Sequence, residues 1–261
     1  MKIAHQAMTW QGWWRKNDVP FDLETLLREM KEAGYDGLEI GGDRESLGAP
    51  ERFKELLAAN ELELCAVAIS VTANPHPPNT EQYRRSIDYA AEMGVTMLMC
   101  CGGFLGVNRR NTFEDDYELF ASNLRAAKEY ADRYGLPIAF HPHRGCIVET
   151  LEEVDRLMAH EPGVELCPDT GHLLSVRSDP VELIRRYPDS IVHMHLKDFD
   201  EQTGAFAELG RGNCGQDFEG IFAALDEIGY DGWIVVERDA SPMPGVESAA
   251  ISREFLRSLG Y

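Results

Sequence analysis

Four segments end an apolar run with ionisable side chains: IAFHPHRG (138–145), CPDTGH (167–172), IVHMHLKD (191–198) and IVVERD (234–239). A buried strand gains nothing from imidazoles and carboxylates at its end unless they meet a ligand or one another. His141, Asp169, His195 and Glu237 make a mixed nitrogen–oxygen donor set. Such a set suits a divalent ion of intermediate softness (Mn²⁺, Co²⁺, Zn²⁺ or Fe²⁺) and leaves open positions for a substrate. The histidines disfavour Mg²⁺, and the absence of cysteine from the set disfavours a closed structural zinc site. Any one of these residues alone would read as a hydrogen-bonded core group; four at successive strand ends argue for a site.

The rest of the chain supplies the means of bringing those ends together. Apolar runs at 2–8, 37–40, 62–69, 96–100, 138–141, 164–168, 191–196 and 233–237 read as strands. Patterns of helical period fill the gaps, at 23–33, 50–59, 81–93, 113–134, 151–160, 180–187, 218–228 and 247–259. Thr150 with Glu153 reads as a capping box, and Asp179-Pro180 as a helix start. Gly34, Gly94, Gly135 and Gly229 fall where helices must stop. AGYDGLEI and IGYDGWIVVE repeat one helix-to-strand link. Alternation with short links predicts parallel strands with helices outside. Eight such units in about 250 residues predict a single (β/α)8 TIM barrel, an α/β fold spanning 1–261, with chemistry at the carboxyl ends of the strands. An open doubly wound sheet is the competing topology.

Strand alternation orders the histidines further. His193, His195 and Lys197 share a parity that faces the barrel axis, while Met194 and Leu196 face the helices. His195, nearer the rim, is the better ligand, and His193 reads as a partner deeper in the core. Lys197 lies just beyond the metal, placed to polarise a substrate oxygen or shuttle a proton; a salt bridge to a rim acid is its competing role. TWQGWW sets Trp10, Trp13 and Trp14 in the first strand–helix loop, where Trp10 either stacks on a sugar face or covers the mouth. TANPHPPN (72–79) reads as a proline-rich rim loop with His76 facing solvent, His160 is placed at the surface, and His5 on the pocket floor.

Charge narrows the partners. With 25 Lys+Arg against 45 Asp+Glu the net charge is −20, a surface that repels phosphate backbones and anionic membranes. Neither nucleic acid nor membrane is expected; a small neutral or cation-assisted ligand is. The cysteines show no CxxC spacing and several lie in apolar runs, which suggests a reduced, cytoplasmic protein. MKIAHQAMTW is too polar for a signal peptide.

AGYDGLEIGG, FHPHRGCIVET, PDTGHLLSVRSDP, IVHMHLKD and GYDGWIVVERD follow one another over most of the chain. On these motifs it resembles the xylose-isomerase-like barrels of sugar isomerases, keto-sugar epimerases and dehydratases, and within them the myo-inosose (2-keto-myo-inositol) dehydratase branch. The resemblance implies a divalent metal, often manganese or cobalt, at the ends of strands five to eight, with Asp169, His195 and Glu237 on metal positions. Strand five of the family usually brings a Glu where this chain has His141; the dehydratase branch shows a His-x-His run there, and Glu149 is the alternative fourth ligand. His143, His172 and Glu39 fall on positions that contact substrate in relatives. Arg211, in LGRGNCGQDF, stands where relatives often carry an acid, and with Glu39 and Trp10 is a candidate substrate contact. The chain is also shorter than typical members of that branch.

The activity implied is a lyase of inositol catabolism acting on a keto-polyol. The metal would act as Lewis acid on the ketone and stabilise an enediolate, His143 or Lys197 would take the α-proton, and His172 would help the β-hydroxyl leave as water. Keto-sugar epimerisation or isomerisation, and elimination on 3-keto-glycosides, are the alternatives. Barrels of this sort often form homo-oligomers, but no sequence feature marks an interface.

Overall fold

The computed structural model describes residues 1–73, 76–106, 109 and 111–261. Asn74 and Pro75 of the expected rim loop therefore lie outside the described residues. The strands are β1 (Lys2–Gln6), β2 (Gly37–Gly41), β3 (Glu63–Val71), β4 (Leu98–Gly102), β5 (Ile138–His141), β6 (Glu165–Leu166), β7 (Met194–Leu196), β8 (Asp198–Asp200), β9 (Ala205–Ala207) and β10 (Trp233–Val236). Eight of them form one parallel sheet in the order β6-β5-β4-β3-β2-β1-β10-β7. Parallel bridges Leu166↔Ile191 and Asp169↔His195 join its two edges and close the ring. β6 is short because Pro168 has no N–H to continue the ladder.

The helices are α1 (Met8–Lys16), α2 (Leu23–Glu32), α3 (Arg44–Leu47), α4 (Pro50–Ala59), α5 (Thr80–Met93), α6 (Glu114–Ala131), α7 (Leu151–His160), α8 (Thr170–Ser175), α9 (Pro180–Arg186), α10 (Phe218–Glu227) and α11 (Gly245–Ser258). The capping box of α7 forms as expected: Thr150 Oγ1 accepts from the Glu153 amide at 3.3 Å, and a Glu153 carboxylate oxygen accepts from the Thr150 amide at 3.1 Å. Most of the apolar core lies between strands and helices. Inside the barrel the apolar groups are small, Ala4, Cys65, Ala66 and Val235 in one cluster and Met99, Ala139 and Cys167 in another. Small side chains there leave room for the polar ones.

Several elements depart from the sequence reading, the short α3 among them. The first strand ends at Gln6, and TWQGWW is not a loop but α1, whose Trp10 and Trp14 pack inward one turn apart. Its start was hidden because Ala7 provides no side-chain cap. The short α8 begins inside the CPDTGH motif. The segment after β7 folds into an antiparallel hairpin, β8–β9, in which Phe199 pairs with Phe206.

Candidate metal centre

Each donor is set by the end of its strand. His141 closes β5 and shares its inward parity with Ala139 of the interior cluster. Asp169 caps α8, its Oδ1 accepting from the His172 backbone amide at 2.9 Å. That bond orients the carboxylate and leaves Oδ2 buried without a hydrogen-bond donor. His141 Nε2 and His195 Nδ1 each stand 3.9 Å from Oδ2. The Lys197 ammonium is 3.2 Å away, as an ion pair. Across the site, His195 Nδ1 faces Glu237 Oε2 at 2.8 Å.

One donor atom each from His141, Asp169, His195 and Glu237 lies within 4.8 Å of the other three, and all four residues are buried. An ion with bonds of about 2.1 Å spaces its ligand atoms roughly 3–4.2 Å apart. One buried ammonium, Lys197, is shared by Asp169, Glu237 and Asp239, so the acids here outnumber their cation and a divalent ion would balance them. The four residues therefore fit a divalent ion. Burial drives the His141 pKa well below the usual histidine value, which keeps the imidazole neutral and able to ligate. Although burial opposes it, Lys197 and His195 hold the Glu237 carboxyl well below the ordinary range. Glu149, the alternative ligand, is engaged elsewhere: it binds Arg109 and accepts from the Gly145 amide at 2.6 Å.

His195 is fixed from behind. Its Nε2 lies 3.1 Å from Glu39 Oε1 and its Nδ1 2.8 Å from Glu237 Oε2, so despite burial the surrounding acids raise its pKa well above the usual histidine value; an ion held at Nδ1 would displace the proton there and leave Nε2–H on Glu39. Glu39 also accepts from Gln6 at 2.6 Å and from His193 at 2.9 Å. His195 and His193 hold its pKa down to about 2 against the cost of burial. This confirms His193 as the deeper partner. It corrects Glu39, which was expected to touch substrate: the carboxylate is enclosed beneath His195.

Two other expected substrate contacts are also displaced. Trp10 is fully buried, donates its indole N–H to Glu29 at 2.9 Å, and is covered by the close approach of Gly245. It belongs to the packing of α1, because the loop expected there is helical. Arg211 is exposed and lines a separate cavity beside Glu32 and Phe255, on the α11 side of the molecule. His5 too is outside the pocket. It has the parity of Ile3, opposite to Ala4, and packs edge-on against Trp10 and Tyr35 between the sheet and the helices. His76 is exposed, as expected, whereas His160 is half-buried against Glu114.

Lys197, His172 and His143 form a chain beside the quartet. Lys197 is fully buried, 2.7 Å from Asp239, 3.2 Å from Asp169 and 3.3 Å from Glu237. Despite desolvation, these carboxylates raise its pKa strongly, so it stays an ammonium. It donates to His172 Nε2 at 2.9 Å, and the His172 ring stands 3.7 Å from that of His143. His143 Nδ1 is 2.7 Å from the Arg144 carbonyl oxygen, which places its proton there and leaves the lone pair on Nε2. Phe206 of the hairpin lies 4.7 Å from the Lys197 ammonium and edge-on to His172. Asp239 and Phe206 were missed by sequence reasoning. Asp239 had a signal, standing one turn of strand beyond Glu237; Phe206 had none.

A cavity of about 770 Å³ opens above the site. His141, His143 and Glu237 reach it, and Gln6, Gln11 and Ser70 add polar groups suited to hydroxyls.

The fold is a closed α/β barrel, and a family model described as xylose isomerase-like TIM barrel matches residues 27–259. The chain belongs to that family. It is 32% identical over 267 residues to an inosose dehydratase of Geobacillus kaustophilus (strain HTA426), covering 88% of this chain and 85% of the relative. An inosose dehydratase of Lacticaseibacillus casei is 29% identical over 265 residues, covering 88% of each. Among solved structures, the apo 3-keto-D-glucoside 4-epimerase YcjR from E. coli superposes with a TM-score of 0.78 at 20% identity, covering 99% of each chain. The IOLI protein with a bound zinc atom gives 0.78 at 18% identity, covering 99% of this chain and 98% of that one. Likeness at that level shows the shared barrel alone. The protein is an enzyme of lyase or isomerase/epimerase type. Among the described residues, no helix is long and apolar enough to cross a membrane.

Proposed function

We propose that this protein is a divalent-metal-dependent dehydratase of a keto-polyol such as an inosose. The observation that carries the reading is the buried quartet itself, two imidazoles and two carboxylates with one donor atom each within 4.8 Å of the others. The inosose dehydratases named above supply the substrate class. His141, Asp169, His195 and Glu237 would hold the ion, Mn²⁺ or Co²⁺ by the family resemblance, with Zn²⁺ or Fe²⁺ equally compatible with the donor set. Bound there, it supplies Lewis-acid polarisation of a ketone.

The remaining work falls to side chains. We assign His143 as the base: it borders the cavity, and with Nδ1 held on the Arg144 carbonyl its Nε2 is the nitrogen that would exchange the proton. Lys197 and His172 are enclosed behind it. The permanent charge on Lys197 favours the anion that develops when the α-proton leaves. His172 takes the Lys197 ammonium on Nε2 and packs its ring against that of His143, so it would position both groups rather than carry the proton itself. Gln6, Gln11 and Ser70 are placed to bind the other hydroxyls.

The test is chelation followed by readdition of Mn²⁺ or Co²⁺, with inososes and 3-keto-sugars assayed for loss of water. Activity should vanish and return. Unaltered turnover in chelator would overturn the reading. Run in heavy water, deuterium uptake without dehydration would instead make the enzyme an epimerase.

A further inference from the structure

Beside the quartet lies a second donor group that the proposed reaction leaves mostly unused. Cys101 of β4 stands opposite His141 in the sheet. The chain then turns back after β5, with the Cys146 amide donating to the His143 carbonyl at 3.0 Å. Gly145 takes φ 81° in that turn, a conformation that favours glycine. The result is that a His143 nitrogen and the sulfurs of Cys101 and Cys146 all lie within 4.8 Å of one another. Cys146 is buried, while Cys101 and His143 are half-buried and face the cavity. Both cysteines are free thiols.

We propose that Cys101, His143 and Cys146 form a second cation site, selective for a thiophilic ion such as Zn²⁺ or Cd²⁺. Two sulfurs and one imidazole match the preference of such ions, and three protein ligands leave a fourth position toward the cavity. Tetrahedral zinc with Zn–S bonds of about 2.3 Å spaces its sulfurs about 3.7 Å apart, so side-chain shifts of about an ångström close the shell. Binding exchanges the thiol protons for the ion and changes no oxidation state.

The quartet and this trio sort metals by softness. Carboxylates and imidazoles suit Mn²⁺; thiolates do not. An ion in the trio occupies the imidazole assigned as base, so a thiophilic ion inhibits an enzyme that Mn²⁺ supports. That consequence rests on the proposed function, whereas the existence of the site does not.

The test titrates Mn²⁺-loaded protein with Cd²⁺ under a phosphine reductant and follows the ultraviolet thiolate-to-cadmium charge-transfer absorption. One equivalent should raise it in the wild type. The rise should fall by about half or more in Cys101→Ser and in Cys146→Ser, and persist in His195→Ala, where the quartet is broken. Inhibition of dehydration by Cd²⁺ should weaken tenfold or more in Cys146→Ser. No rise with stoichiometric Cd²⁺, or a rise unchanged in both serine variants, would overturn the site. If the rise persists in His195→Ala while no dehydration is found in any sample, the trio stands and the proposed function falls.

Discussion

Glu39 Oε1 lies 3.1 Å from His195 Nε2, and neither side chain has any solvent exposure. The carboxylate thus selects the tautomer of a candidate ligand from the far side of the ring. It also receives Gln6 and His193, so three donors share two oxygens. In Glu39→Gln one of those oxygens becomes an amide nitrogen, and at least one donor loses its acceptor. Mn²⁺ affinity should fall about 10- to 100-fold, the usual effect of removing such a partner. Titration calorimetry with Mn²⁺ checks it, and equal affinity would show that Glu39 only fills the barrel floor.

Lys197 balances the acids of the quartet. In Lys197→Met, Asp169, Glu237 and Asp239 face one another without their shared cation. Removing one partner from a buried charge network costs about 3–5 kcal/mol. The metal-free variant should lose stability of that order, and Mn²⁺ should restore more of it than it adds to the wild type. Melting temperatures with chelator and with Mn²⁺ decide the matter. Equal Mn²⁺-induced shifts would mean that Lys197 does not compete with the ion for these carboxylates.

How much of this was legible before the structure depends on how local each cause is. The strands and most helices follow from apolar period and from capping signals such as Thr150–Glu153. His141, Asp169, His195 and Glu237 were readable because each stands at a strand end, where parity and position fix direction. Trp10, Glu39 and Arg211 were misplaced because their surroundings come from distant segments: Glu29 and Gly245 around Trp10, His193 and His195 around Glu39, α11 around Arg211. Phe206 reaches Lys197 only because a hairpin folds across the barrel mouth, and no period or motif announces that hairpin.

The glycine of CPDTGH has a steric task. A Cβ on Gly171 would stand 2.7 Å from Lys197 Cγ and 2.8 Å from its Cβ. Those atoms are near the backbone, so the stem of Lys197 has little freedom to yield. Gly171→Ala should therefore displace the ammonium from its carboxylates and lower the dehydration rate at least tenfold, at an overpacking cost of about 1–3 kcal/mol. Mn²⁺ binding should survive, since Gly171 touches no member of the quartet through that Cβ. Rate and bound metal measured on one preparation separate the two effects; loss of metal in step with rate would refute the explanation.

His5 supplies a pH dependence that the site does not share. Enclosed between Trp10 and Tyr35, it has its pKa lowered to about 4, chiefly by burial. The unfolded chain takes up the same proton near pH 6.5. Between these values the unfolded state binds more protons than the folded one, so stability falls as pH drops from 6.5 toward 4. The full loss is about 3 kcal/mol, of which about 2 kcal/mol has accrued at pH 5. His5→Leu removes this titration while keeping an apolar body against the rings. Urea midpoints at pH 7 and pH 5 should therefore separate more for the wild type than for the variant, by about 2 kcal/mol once multiplied by the slope. The other buried imidazoles titrate in both proteins and cancel in the comparison. An equal separation would mean that His5 is already charged in the folded protein.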